Sequence, residues 1–271
     1  MMDKKGSVLG IPVSWVVMII ATLLIMAIIG TVWIVKTRAK IDDISGEYGG
    51  IGSSSSGNLK TCGMVYGSKD DLIKDAGTES SAGKTYMELI DDLKISEDDK
   101  ENVAAIIAIE SGFDEDAEYK TAAGLLQAVP ETAASILVCP PYGEKCVKLC
   151  GDDKCSNQKE DYRKNPIYAV SGAYEIFKLK RDSIVGCSSV KGDDLDRMAA
   201  AAYIAGEGVI CDAIKKTGKR KPSWMDVERK LTPDLISYKN SPFEQKEIIG
   251  ETICHDRRFM NELNRFEGEF S

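Results

Sequence analysis

Residues 103–133 read VAAIIAIESGFDEDAEYKTAAGLLQAVPETA, and this stretch decides the fold. Val103, Ile106, Ile107 and Glu110 fall at i, i+3, i+4 and i+7, so they share one face of a helix. Three of these positions supply core; the fourth places a carboxylate at the helix end on the buried side. A carboxyl group in apolar surroundings holds its proton more firmly, which is what a general acid that protonates a leaving oxygen requires. The competing reading is a helix-terminal glutamate that turns out to water. Ser111-Gly112-Phe113 ends the helix, with Gly112 suited to a left-handed cap. Upstream, Ser96 followed by Glu97, Asp98 and Asp99 predicts its N-terminus.

Working outward, a polar loop leads to Gly124-Leu125-Leu126-Gln127 and then Pro130-Glu131-Thr132-Ala133. Asn165-Pro166-Ile167 with Gly172-Ala173-Tyr174 follows, and after it Ala201-Ala202-Tyr203-Ile204-Ala205-Gly206-Glu207-Gly208. Taken in this order the segments resemble the SLT-type catalytic domain of lytic transglycosylases, within the goose-lysozyme-like superfamily. The family's Gly-Leu-Met-Gln has Leu126 at its Met, and its Ala-Tyr-Asn-Ala-Gly has Ile204 at its Asn. The resemblance implies a mainly α, lysozyme-like domain that acts on peptidoglycan without a cofactor or metal. It implies that Glu110 protonates the oxygen between N-acetylmuramic acid and N-acetylglucosamine. Glu110 would then take a proton from the muramic 6-hydroxyl, so that a 1,6-anhydro ring closes without water. By the same resemblance Ser111, Gln127 and Tyr203 line the groove and hold Glu110 or the substrate's acetamido groups. Read without it, they are a capping serine, a surface amide and a core tyrosine.

Two other functions fit the same segments. A water-using muramidase differs in needing a second carboxylate opposite the acid. Asp114, Glu115, Asp116, Glu118 and Glu131 are the nearby candidates, most of them in a solvated loop, and Glu207 reads as a turn carboxylate. A non-catalytic glycan-binding or scaffold protein that has kept the fold is the third reading, for which Ile204 and the cysteine-rich insert are the best arguments.

At the N-terminus, residues 11–35 carry no charge over a length that spans a bilayer core, which takes ~20 apolar residues. Trp15 and Trp33 suit the two interfaces. The run is long for a cleaved signal peptide, so residues 1–40 read as an uncleaved signal anchor. Lys4 and Lys5 on one side and Lys36, Arg38 and Lys40 on the other leave the positive-inside bias level. Cysteine content and substrate instead place the C-terminal bulk outside the cytoplasm, on a single-pass membrane protein. Residues 41–83 are Gly/Ser-rich and read as a flexible tether, with 60–76 less polar and suited to docking on the domain. The catalytic domain then occupies 84–271, with a cysteine-rich insert at 139–155.

Within that domain Tyr86–Leu93 reads as a short helix. Asn165-Pro166 opens another, and Asp193-Asp194 precede an Ala-rich helix broken at Gly206 and Gly208. Ser241-Pro242-Phe243-Glu244 is a capping box for the last helix. A small hairpin is the only β structure expected, between 113 and 127.

The chain has 271 residues, 29% of them charged and 43% hydrophobic, at a net charge of −8. No basic stripe suggests nucleic acid. Its single histidine, His255, argues against most metal and triad chemistry. Eight cysteines form an even set. Four lie in CPPYGEKCVKLCGDDKC, whose spacing is not the paired C-x2-C of structural zinc sites. Disulfides, of undetermined pairing, are therefore the preferred use. The partners expected are glycan strands, the membrane and, as a further candidate, envelope-spanning machinery.

Overall fold

The computed structural model describes residues 7–8, 11–12, 62, 68–143, 145–157, 159, 161–237 and 242–270. The chain divides into two units, Met1–Gly52 and Ser53–Ser271. In the first, β1 (Ser7–Val8) pairs antiparallel with β2 (Ile11–Pro12). The expected membrane span therefore opens on two extended residues, consistent with the bias of a residue before proline away from helix. Residues 13–35 of that span lie outside the described residues, and among the described ones no helix is long and apolar enough to cross a membrane.

The second unit is mainly helical, and it takes in part of the expected tether. Helix α1 (Lys69–Ala76) is capped by Ser68, whose Oγ accepts from the Asp71 N–H, and it buries Leu72 and Ala76 in the core. Two apolar residues four apart anchor a single short face. Helix α2 (Tyr86–Asp91) starts with a Thr85–Glu88 capping box and buries Tyr86, Leu89 and Ile90.

Helix α3 (Glu97–Ser111) forms the centre. Ser96 Oγ accepts from the Asp99 N–H, and Gly112 closes the helix in the left-handed conformation at φ 63° and ψ 32°. Asn102 through Ala108 are buried without interruption, so the helix is enclosed on nearly every side rather than along one stripe. The run Val-Ala-Ala-Ile-Ile-Ala explains this, since it offers no polar face and its alanines admit close neighbours.

After the hairpin of β3 (Glu118–Tyr119) and β4 (Ala122–Ala123), α4 (Pro130–Ser135) and a second hairpin of β5 (Leu137–Val138) with β6 (Val147–Lys148) follow. Helix α5 (Pro166–Cys187) starts at Asn165, whose side chain accepts from the Ile167 N–H. Next come α6 (Asp193–Ala205) and α7 (Glu207–Thr217), joined at Gly206 with φ 83°. The break falls at Gly206 alone: Gly208 lies inside α7, and Asp193 and Asp194 form the first turn of α6 instead of preceding it. Helix α8 (Trp224–Glu228) and a 3-10 turn (Pro233–Leu235) lead to α9 (Pro242–Phe266). That last helix begins at the predicted proline, while Ser241 of the expected capping box lies outside the described residues.

Two cores result. One gathers Ile106, Ile107, Leu125, Leu126, Phe177 and Phe259 around α3. The other gathers Met198, Ile210, Ile214, Trp224 and Val227 around α6 and α7. Four disulfides, Cys62–Cys254, Cys139–Cys146, Cys150–Cys155 and Cys187–Cys211, use all eight cysteines. The insert thus carries two short-range bridges. The thiols of Cys150 and Cys155, which stand near Asp161, are joined to each other.

An ion network ties α3, α5 and α6 together. Arg181 lies 2.6 Å from Asp99 and 3.0 Å from Asp196. Burial lifts the Asp196 carboxyl from its ordinary 3.8 to about 6, although the Arg181 charge pulls the other way. A carboxyl raised in the folded state contributes fully to stability below its unfolded value, and the contribution fades as pH rises through the folded one. Stability from this group is therefore expected to decline between pH about 4 and about 6. The upper bound is about 3 kcal/mol, lessened by partial solvent screening. Asp196→Asn should flatten that part of the profile in denaturant melts. An unchanged slope would refute the assignment.

Candidate active site

Helix α3 delivers Glu110 as its penultimate residue, and the Glu110 side chain is 14% exposed. Helix α9 delivers His255, whose Nε2 stands 2.9 Å from Glu110 Oε1. Helix α6 delivers Tyr203, whose ring lies nearly parallel to the His255 imidazole at 18°, with 5.9 Å between centroids. The Tyr203 hydroxyl and His255 Nδ1 are both buried, and neither has a hydrogen-bond partner among the described residues. Burial, with the Glu110 carboxylate adding to it, raises the Tyr203 phenol well above its ordinary value, so the hydroxyl keeps its proton.

His255 is fixed from both sides along α9. Cys254 is bridged to Cys62 immediately before it, and Asp256 immediately after it is clamped by Arg197 of α6. That clamp is bidentate, with Arg197 Nε donating to Oδ1 at 2.9 Å and an Nη to Oδ2 at 2.8 Å.

The other expected site residues hold positions close to the chain. Ser111 is buried, and its Oγ donates to the Ile107 carbonyl at 3.2 Å, within its own helix. Gln127 takes a left-handed backbone at φ 45°, and its Nε2 donates to the carbonyls of Ala117 and Gly124 at 3.0 Å each. This bonding shapes the motif loop. Gly124, at φ 72°, packs so close to Arg163 that an added Cβ would lie 1.9 Å from its carbonyl oxygen, so no side chain fits there. Arg163 itself is buried and donates to the carbonyls of Thr121 and Ala128. Ile204 is 37% exposed.

Of the candidate second carboxylates, Glu131 is exposed in the first turn of α4, and the others are engaged elsewhere. Asp114 Oδ1 accepts from the Asp116 N–H, and Glu115 accepts from the Ser81 N–H and the Tyr86 hydroxyl. Asp116 and Glu118 pair with Lys164. Glu207 forms an ion pair with Lys180 at 2.6 Å, whose hydrogen bond holds its carboxyl below the ordinary range.

An acid at a helix end, a donor-capable ring against one of its oxygens, and a protonated phenol beside that ring suit proton transfer to a bound oxygen. The family comparison agrees: the model of the transglycosylase SLT domain matches residues 89–225, just over half of the chain. The chain belongs to the SLT transglycosylase family. Membership brings a transglycosylase-type glycan lyase activity and a peptidoglycan substrate at the level of the family. No curated protein and no solved structure matches the chain. The SLT segment contains Glu110, Ser111, Gln127 and Tyr203, whereas His255 lies beyond its end. His255, counted above as an argument against histidine chemistry, is thus the residue that sequence reasoning missed. Its one local signal is its uniqueness in the chain.

Proposed function

We propose that this chain is a membrane-anchored lytic transglycosylase that cuts the β-1,4 bond between N-acetylmuramic acid and N-acetylglucosamine, with Glu110 as acid and then base. The observation that carries the reading is the partly buried Glu110 at the motif position, with one oxygen 2.9 Å from His255 Nε2. Glu110 gives its proton to the glycosidic oxygen as the bond to C1 breaks. The substrate's N-acetyl group supports the oxocarbenium-like centre. The muramic 6-hydroxyl then adds to C1 and returns a proton to Glu110, so the enzyme ends as it began. In this reading the Tyr203 hydroxyl, buried beside the acid and without a partner among the described residues, answers to an acetamido group, while Ser111 and Gln127 act through the chain they brace, at the end of α3 and in the motif loop.

A hydrolase on this fold would call for a second carboxylate ~5–5.5 Å from the first, or farther with a water between. Asp114, Glu115, Asp116, Glu118 and Glu207 are all bound to other groups, and Glu131 lies exposed in the first turn of α4, which favours the water-free route. Fragments of purified murein digested by the full chain are expected to carry anhydro ends, one water lighter than hydrolytic ends in mass spectrometry. Hydrolytic ends would establish a muramidase instead.

In this reading residues 11–35 anchor the chain and the catalytic unit works outside the cytoplasm. Four disulfides suit an oxidising compartment. The full chain should stay in the membrane pellet after carbonate extraction, and its appearance in the supernatant would remove the anchor.

A further inference from the structure

We infer that His255 is a positioning residue for the acid: a neutral imidazole, protonated on Nε2, that donates to Glu110 Oε1 and leaves Oε2 to carry the catalytic proton. This rests on the reading of Glu110 as the acid.

The argument begins at the other ring nitrogen. His255 Nδ1 is buried with no partner among the described residues. A neutral imidazole has one N–H and one lone pair. Burying an N–H without an acceptor is the costlier error; a lone pair without a donor is better tolerated. The proton therefore sits on Nε2, the nitrogen with an oxygen 2.9 Å away. A doubly protonated ring would strand an Nδ1–H in the same buried place, so the neutral form is favoured. Nε2–H donates, and Oε1 accepts.

Glu110 then has two inequivalent oxygens. Oε1 faces a donor and cannot hold a proton along that line, so the acid's proton resides on Oε2. Once that proton passes to the glycosidic oxygen, the carboxylate left behind keeps a charge-assisted hydrogen bond, which is stronger than the neutral one it replaces. Stabilisation that grows as charge develops is the kind that accelerates a step. The proton returns to Oε2 from the 6-hydroxyl, and His255 never changes its protonation. Tyr203, stacked on the ring, and the two clamps at Cys254 and Asp256 hold the imidazole in this orientation.

Because the chain has one histidine, 15N-histidine labelling of the full chain reports this ring alone. Long-range 1H–15N correlation at mildly alkaline pH should show the Nε2–H tautomer. An Nδ1–H tautomer or a doubly protonated ring would overturn the inference, whatever the variants do. In kinetics on purified murein, His255→Ala should lower kcat on the order of 10²-fold with little change in KM, the usual loss for a preorganised donor. His255→Gln, whose amide N–H can reach the same oxygen, should recover most of it. Equal rates for His255→Ala and wild type, or a Gln variant no better than Ala, would overturn it too. Glu110→Gln separates the two claims. If that variant keeps wild-type rates, the acid is misassigned and the proposed function fails. If it is dead while His255→Ala is fully active, only the positioning role fails.

Discussion

Glu110→Gln is expected to leave the fold intact and abolish turnover. The substitution keeps the volume at the end of α3, and a glutamine oxygen can still accept at the site where His255 Nε2 stands 2.9 Å away. Folding stability should therefore change by no more than about 1 kcal/mol, in the direction of a gain where removal of a partly buried carboxyl relieves desolvation. What is lost is a proton that can be given and retaken. General acid–base help is worth ~10²–10⁴-fold by itself, and the lytic reaction asks for it twice, once at bond cleavage and once at ring closure. A drop toward the upper end of that range, in rates of anhydro-product release, is the expected outcome. Thermal melts run beside the kinetics distinguish it from unfolding. A folded variant with wild-type turnover would remove Glu110 from the mechanism.

The part of this site readable in the sequence is the part built from local signals. Ser96 and its acidic first turn, the apolar run, Glu110 and the left-handed Gly112 all act within one helix, and all stand where local chemistry puts them. The same holds for Asn165-Pro166 at the start of α5. What was not legible is tertiary. His255 lies 145 residues from Glu110 in the chain, and a lone histidine on an amphipathic helix carries no mark of the partner that folding will give it. Disulfide pairing is of the same kind: Cys62 and Cys254 are 192 residues apart. Helix α1 falls within residues 60–76, whose lower polarity suits docking on the domain, but its helical form is not legible because Leu72 and Ala76 alone make too short an apolar face to show a period. Gly208 looked like a helix breaker beside Gly206, but only Gly206 takes a positive φ, and a glycine inside a helix costs just ~1 kcal/mol against alanine.

Arg197→Met should be among the most damaging substitutions away from Glu110, and its damage should depend on pH. The Asp256 side chain is 0% exposed, and its carboxylate is met by two parallel N–H donors from Arg197, whose own side chain is 28% exposed. Burial pushes the Asp256 carboxyl above its ordinary 3.8, and Arg197 opposes that push. Methionine preserves much of the apolar stem but leaves a buried charge without its partner, a loss of about 3–5 kcal/mol. Asp256→Asn is expected to cost less, because the guanidinium left behind can still reach water. Replacing both by apolar residues, as in Arg197→Met with Asp256→Leu, should recover most of the loss. The sign with pH follows from linkage. Without Arg197 the folded-state value of Asp256 rises further, so the penalty is absent below the unfolded value and grows as pH climbs through the folded one. Denaturant melts of Arg197→Met against wild type should accordingly diverge at neutral pH and converge in acid. If Asp256→Asn proves as costly as Arg197→Met, or the deficit is the same at both pH values, the buried carboxylate is not what the clamp neutralises.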